Sequence, residues 1–294
     1  MPSLTFWKYH GLGNDFIMFD GLVESDSSDK SESLVERLTP GTIQALCHRH
    51  TGVGADGIIV ALSNSPKSYR MVYFNADGYE AEICGNGIRC LVAMLRDQGK
   101  DMSNTAIMTA CGPVQVQALP DSSVRNTMPA PVFRGISGAP GREDPNLFHS
   151  INLNGRKFDA VILNVGNPHA VIPERISLEE LLTWGPRIER HELFPNRTNV
   201  EFIEVVAHNK VRVLIWERGV GRTLASGSGA TASACAATAL GDAITGEDID
   251  VIMEGGILSV RISLDFKEIW LRGPAQFVFQ GVLSEKGGWD ALVS

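Results

Sequence analysis

Ile83-Cys84-Gly85-Asn86-Gly87-Ile88 and Ala225-Ser226-Gly227-Ser228-Gly229-Ala230 are two versions of one pattern. In each, strand-like sequence leads to a Cys or a Ser, then to a Gly-x-Gly turn that opens a helix, Gly85 to Gln98 in the first copy and about Gly227 to Leu240 in the second. An internal echo of this kind marks a repeated structural unit. It predicts two α/β halves, each with a helix N-terminus facing a shared cleft. Such a terminus carries unpaired N–H groups and a partial positive charge, so it binds carboxylates and lowers the pKa of a thiol placed on it.

The rest of the chain fits around these two points. Residues 22–38 read as a polar surface loop that turns helical toward Val35 and Leu38, and Pro40 opens a helical segment with Ile43, Leu46 and Cys47 on one side and Gly52 as its stop. Strands follow at Ile58–Leu62 and Met71–Asn75, with Ala76-Asp77-Gly78 as a turn and Glu82-Ile83 as a short return. Leu119 to Asn146 concentrates Pro, Gly and Ser and reads as the connection between halves. Beyond it, strands are expected at Phe158–Asn164, Asn199–Val206, Val211–Trp216, Gly256–Ile262, Ile269–Leu271 and Gln276–Leu283. The expected domains are 1–127 with a returning strand from 276–294, and 128–275.

At 294 residues the chain can bury two cores without staples, and its 44% hydrophobic and 20% charged content is that of a globular protein. A net charge of −8 argues against a nucleic-acid or anionic-membrane surface, so a small acidic ligand must be held by local donors. The opening MPSLTFWKYHGLGNDF lacks a charged start followed by an apolar core, and no stretch is apolar enough to span a membrane. The expectation is a cytoplasmic location. The five cysteines lack disulfide-framework or zinc spacing, which fits reduced thiols.

Two helix starts facing each other could grip the α-carboxylate of an amino acid while offering Cys84 to one face of its Cα and Ser226 to the other. That geometry suits two-base proton transfer, one group removing the α-proton and the other returning one from the opposite face. The plainer reading of Cys84 is a small buried residue at a helix start. Cys47, Cys90, Cys111 and Cys235 read as core packing.

Gly52-Val-Gly54-Ala-Asp-Gly57 has the letters of a dinucleotide-binding turn, but it follows a helix and precedes a strand, the reverse of the order that fingerprint needs. His48 and His50 have no carboxylate or thiol at ligand spacing, so no metal is expected.

Lys8-Tyr-His-Gly-Leu-Gly-Asn14-Asp15-Phe16, Gly52-Val-Gly-Ala-Asp-Gly57, Phe74-Asn75-Ala-Asp-Gly78, Ile83-Cys-Gly-Asn-Gly-Ile-Arg89, Asn164-Val-Gly-Asn-Pro-His169, Asn196-Arg-Thr-Asn199-Val-Glu201 and Trp216-Glu-Arg-Gly219 resemble, in order, the motifs of the diaminopimelate epimerase family. The resemblance runs from Phe6 to about Leu283. It implies an α+β fold of two pseudo-symmetric domains, each a curved, mostly antiparallel sheet around a central helix, with the active site in the cleft between them. It also implies a homodimer that interconverts LL- and meso-diaminopimelate, for lysine and cell-wall precursors, with no pyridoxal phosphate, metal or nucleotide.

Carried over residue by residue, the resemblance makes Cys84 one acid/base, with His169 and Glu217 assisting at the reacting centre. Gly85, Asn86, Gly227 and Ser228 would hold the reacting carboxylate, and Asn14, Asn75, Asn167, Asn199 and Arg218 would bind the rest of the substrate. The planar fork of an Arg suits a carboxylate. Each has a plainer reading as well. The asparagines could bond backbone at turns and strand ends, His169 could be a structural histidine, and Glu217-Arg218 could be a solvated ion pair.

The chain departs from the family pattern in Gly221-Arg222-Thr223-Leu224-Ala225-Ser226-Gly227-Ser228-Gly229. Arg222 stands where the family has an acid, and Ser226 where it has the second catalytic cysteine. A thiol titrates near pH 8.5 and can be lowered, whereas an alcohol stays un-ionised without a strong base beside it. Slow turnover on that face, a racemase or dehydratase acting on another amino acid, and a substrate-binding pseudoenzyme are the alternatives this substitution opens.

Overall fold

The computed structural model of the protein describes residues 3–22, 34–65, 68–81 and 84–284. The expected return at Glu82-Ile83 and most of the polar segment after Leu22 lie outside them. The chain forms two compact units, Met1–Asn126 with Pro274–Ser294, and Thr127–Gly273.

In the first unit, Ser3–Gly11 and Asn14–Gly21 make a hairpin whose two-residue turn, Leu12-Gly13, has φ of 55° and 88°. Both turn residues are left-handed, the geometry that matches strand twist in the tightest hairpins. Gln276–Ser284 returns to pair antiparallel with Ser3–Gly11. Asn14–Gly21 runs parallel to Gly57–Ser65, reached through helix α1 (Pro40–Cys47), and Gly57–Ser65 turns back antiparallel into Ser68–Asn75. Helix α2 (Gly85–Asp97) then crosses to Thr105–Thr109, parallel to Ser68–Asn75, and Gly112–Ala118 closes a hairpin.

Side-chain alternation explains why both faces of this sheet are filled. Phe16, Met18, Ile59 and Ala61 point to the core around α2, while Ile17, Phe19, Ile58 and Val60 point to a second core with Ile43 and Leu46 of α1. Every residue of α2 from Asn86 to Leu95 is buried, as in a helix enclosed by its sheet. Ser3–Gly11, Asn14–Gly21, Gly112–Ala118 and Gln276–Ser284 all contact it, so the sheet curves around it.

The second unit repeats this path. Arg156–Asn164 pairs antiparallel with Pro168–Ile172, which runs parallel to Asn199–Ala207 after helix α3 (Leu178–Glu189). Asn199–Ala207 turns back into Lys210–Glu217, and helix α4 (Gly227–Ala239), buried from Gly229 through Ala237, leads to Asp248–Met253 and its hairpin partner Gly256–Ile262. Each unit is a mostly antiparallel sheet around one central helix.

The registers align the two units residue by residue. Phe16 opposes Gly57, which opposes Asn75. In the second unit His169 opposes Asn199, and Val200 opposes Trp216, which makes Glu217 the partner position of Asn199. Phe16 therefore corresponds to His169, Ile59 to Glu201, and Asn75 to Glu217. Asn75 precedes Cys84 by nine positions and Glu217 precedes Ser226 by the same nine.

Cys47, Cys90 and Cys235 are buried, but Cys111 is exposed in the turn between Thr105–Thr109 and Gly112–Ala118, which corrects its expected place in a core. Among the described residues no helix is long and apolar enough to cross a membrane.

Candidate active site

Cys84 and Ser226 are the N-caps of α2 and α4, with nearly the same backbone: φ −141° and ψ 108° for Cys84, φ −139° and ψ 127° for Ser226. Each side chain accepts from the third amide of its helix, Gly87 N to Cys84 Sγ at 3.4 Å and Gly229 N to Ser226 Oγ at 3.2 Å. That leaves the first two amides, Gly85 and Asn86 in one helix and Gly227 and Ser228 in the other, available to an outside acceptor. A larger residue at the third position would crowd its neighbours. A Cβ on Gly87 would lie 2.7 Å from Ile59 Cδ1, and one on Gly229 would lie 3.2 Å from Glu201 Oε1.

In the first unit Asn14 leaves the hairpin turn facing α2. Its Nδ2 donates to Asp56 Oδ2 at 2.8 Å, and its Oδ1 accepts from Asn86 Nδ2 at 3.2 Å and faces Cys84 Sγ at 3.8 Å. Asp56 in turn takes Arg49 Nη2 at 2.6 Å. Asn86 Oδ1 accepts from Arg89, whose Nη1 also reaches Gly85 O at 3.3 Å. Asn75 accepts from the Tyr73 hydroxyl at 2.6 Å, which leaves its Nδ2 without a partner among the described residues.

In the second unit Asn167 takes the place of Asn14. Its Nδ2 donates to Ser228 Oγ at 3.3 Å, and its Oδ1 lies 2.7 Å from His169 Nε2. His169 is fully buried, with Nδ1 2.7 Å from Glu201 Oε1, and Glu201 is equally enclosed. Burial pushes the Glu201 carboxyl above the usual range, opposed by the charge and hydrogen bond of His169. His169 is thus joined to Ser228 through Asn167. Ser226, itself buried, donates to Glu217 Oε2 at 3.0 Å.

Asn199 is committed to backbone, with Nδ2 on Pro168 O at 2.9 Å and Oδ1 accepting Arg218 N at 2.9 Å. It holds the start of the turn that carries Arg218, whose exposed guanidinium has no partner among the described residues. Arg222, in place of the family's acid, makes a two-pronged pair with Glu254 at 3.0 and 2.8 Å, and Gly255 N donates to Leu224 O nearby. It ties the loop before Ser226 to the turn after Asp248–Met253.

Asp56, Arg89 and Glu201 are parts of these networks that the sequence reading left without roles. Glu201 carried a usable signal: it is the lone charge at an inward position of the run Asn199-Val-Glu-Phe-Ile203, on the same strand face as Asn199. Burial raises the Cys90 and Cys235 thiols well above the ordinary range and Cys47 to about 11, so none of these is poised to react. Among the described residues no group of His, Cys, Asp and Glu could hold a metal ion.

Comparison with known proteins identifies the family. The family model described as diaminopimelate epimerase matches residues 6–133 and 161–278. A diaminopimelate epimerase of Carboxydothermus hydrogenoformans is 36% identical, covering 95% of this chain and 98% of that one. Another, from a Synechococcus species, is 39% identical, covering 97% and 100%. A solved hydroxyproline epimerase from Agrobacterium vitis, with bound trans-4-OH-L-proline, shares the fold at a TM-score of 0.66 and 14% identity, covering 100% of this chain and 99% of that one. With its motifs in order, its sheet wrapped twice around a capped helix and its near full-length relatives, the chain belongs to the diaminopimelate epimerase family.

Proposed function

We propose that the protein is an isomerase that epimerises diaminopimelate at Cα by proton transfer between two side chains, with no cofactor. The observation that carries this reading is the matched pair of caps. Cys84 and Ser226 present a thiol and a hydroxyl from equivalent helix starts, and the hydroxyl is already bonded to a carboxylate at 3.0 Å. In one direction Cys84 as thiolate removes the α-proton, and protonated Glu217 returns one through the Ser226 hydroxyl. In the other, the Glu217 carboxylate takes the proton through Ser226 and the Cys84 thiol supplies one. Glu217 does the work that an alcohol alone cannot, because Ser226 need never persist as an alkoxide.

The amides of Gly85, Asn86, Gly227 and Ser228 would hold the reacting carboxylate and stabilise the carbanion. Arg218 would bind the distal carboxylate with its planar fork, and Asn14, Asn75 and Asn167 would complete recognition. The reading includes a homodimer, as the family resemblance implies, and a cytoplasmic location.

The test is α-proton exchange followed by proton NMR in deuterated water, with LL- and meso-diaminopimelate offered separately. Exchange from both is expected. No exchange from either, by this protein and by Ser226→Cys alike, would falsify the assignment.

A further inference from the structure

Glu189 is the last residue of α3 and is 2% exposed, a place where a carboxylate is disfavoured twice. Burial strips it of water, and the C-terminus of a helix is already negative. Three donors offset this. Trp216 Nε1 donates to Oε2 at 2.8 Å, Gly219 N donates to Oε1 at 3.0 Å, and Arg197 Nη1 lies 3.5 Å from the same oxygen. Burial raises the carboxyl pKa, but the Trp216 and Gly219 bonds and the charges of Arg190 and Arg197 outweigh it and hold it below its ordinary value. The helix is also shaped for this contact. A Cβ on Gly185, one turn before Glu189, would come within 2.8 Å of Trp216 Cγ, so the glycine lets the indole lie against α3.

Both bonds end in one turn. Glu217 closes its strand and is paired with Gly221, while Arg218 and Gly219 lie beyond the pairing. Asn199 Oδ1 takes the amide of Arg218 and Glu189 takes the amide of Gly219, so the backbone at Arg218 is fixed from both sides. The first unit shows the same turn with an uncharged tip. There Ala76 holds the place of Arg218, its amide donates to Asp56 O, and α1 reaches the turn through the neutral Gln44, whose Nε2 donates to Asp77 O at 2.7 Å. The buried carboxylate thus occurs in the repeat whose turn carries a guanidinium. We infer that Glu189 is a positioning residue for substrate recognition: by holding Trp216 and Gly219 it fixes Arg218 at the tip of the turn, and so sets how well the distal carboxylate of the substrate is bound. Glu217 is held by strand pairing, so loss of Glu189 falls on binding more than on proton transfer.

The inference rests on the proposed role of Arg218, and its test separates the two. Glu189→Gln keeps the shape but offers one oxygen to two donors, so peptides spanning residues 216–221 should exchange amide hydrogen faster, read by mass spectrometry without substrate. KM for diaminopimelate should rise about tenfold, the scale of one charge-assisted hydrogen bond, with kcat changed far less. In an Arg218→Ala background, Glu189→Gln should raise KM no further. Trp216→Phe, which removes one donor and keeps an aromatic ring, should shift exchange and KM in the same direction by less. Unchanged exchange in Glu189→Gln overturns the inference whatever the protein catalyses, and so does unchanged exchange in Trp216→Phe if Glu189→Gln fails to fold. An equal rise in KM with and without Arg218, or a fall in kcat as large as the rise in KM, also overturns it, since Glu189 would then serve the fold or Glu217. If Arg218→Ala raises KM and Glu189→Gln does not, the inference fails and the role of Arg218 stands. If neither raises it, the role of Arg218 falls and takes the inference with it.

Discussion

Asn14 and Asn167 hold the same place in the two repeats with their amides turned opposite ways. The Asn14 oxygen faces the first helix start, 3.2 Å from Asn86 Nδ2, whereas the Asn167 amide nitrogen faces the second, 3.3 Å from Ser228 Oγ. The cause lies behind each residue. Asp56 can only accept, so it draws the Asn14 nitrogen toward itself, while His169 Nε2 takes the Asn167 oxygen at 2.7 Å. One backbone plan thus offers an acceptor at one cap and a donor at the other.

The first prediction concerns the pair that orients Asn167. His169 and Glu201 replace Phe16 and Ile59 of the first unit, so the fold accepts apolar residues at those points. His169→Phe alone leaves Glu201 buried without its partner and should cost about 3 kcal/mol in urea unfolding. Adding Glu201→Ile should recover most of that loss while activity stays low. A double variant no more stable than the single one would mean that the pair holds the fold and not the site.

The face served by Ser226 with Glu217 should be separable from the face served by Cys84 by which diastereomer exchanges. Glu217→Gln removes the terminal base behind Ser226 and should slow deprotonation on that face by about 10²-fold or more. The face served by Cys84 should retain its exchange, and Cys84→Ala should do the converse. Ser226→Cys should raise turnover by about tenfold or more, since a thiol can hold the proton itself. Equal loss from both diastereomers in Glu217→Gln would contradict the division of labour.

Much of this is legible in the sequence, and the gaps have physical causes. The repeat around Cys84 and Ser226 was visible because a cap followed by Gly-x-Gly leaves a local signature that tertiary context does not rewrite. The first hairpin was not, because its turn is Leu12-Gly13, with a leucine in the left-handed region at φ 55° that only the paired strands impose. Helix α3 was missed although Ser177 and Glu180 form a reciprocal capping box, Ser177 N to Glu180 Oε2 at 2.9 Å and Glu180 N to Ser177 Oγ at 3.2 Å. The networks through Asp56, Arg89 and Glu201 join residues that parallel strands and a crossing helix bring together, which local spacing does not encode.

Arg222 is explained by Glu254. The two side chains are each 35% exposed and make a two-pronged pair, so the interaction is a modest, solvent-screened one. Arg222→Glu should set two carboxylates against each other and lower the melting temperature by a few degrees. Arg222→Glu with Glu254→Arg should restore it. If the double variant melts no higher than the single, the loop before Ser226 is not anchored by this pair.

Asp15 should give the first unit a distinct acid response. Burial raises its carboxyl pKa, but hydrogen bonds and charge from Arg49 and Lys8 outweigh that and lower it from 3.8 to about 2. Arg49 meets it at 2.8 Å and the buried Lys8 at 2.7 Å. Because the folded value lies below the unfolded one, the stabilisation is fully present above pH 3.8 and is lost as pH falls toward 2. The shift corresponds to about 2 kcal/mol, and Asp15 is enclosed enough for most of it to survive solvent screening. Asp15→Asn keeps the shape and removes the charge. Urea unfolding should therefore show it less stable by a constant amount from pH 7 to about 4, with the gap to the unaltered protein shrinking by about 2 kcal/mol over the next two pH units. A gap that stays constant down to pH 2 would show that the Lys8 and Arg49 contacts do not depend on an ionised Asp15.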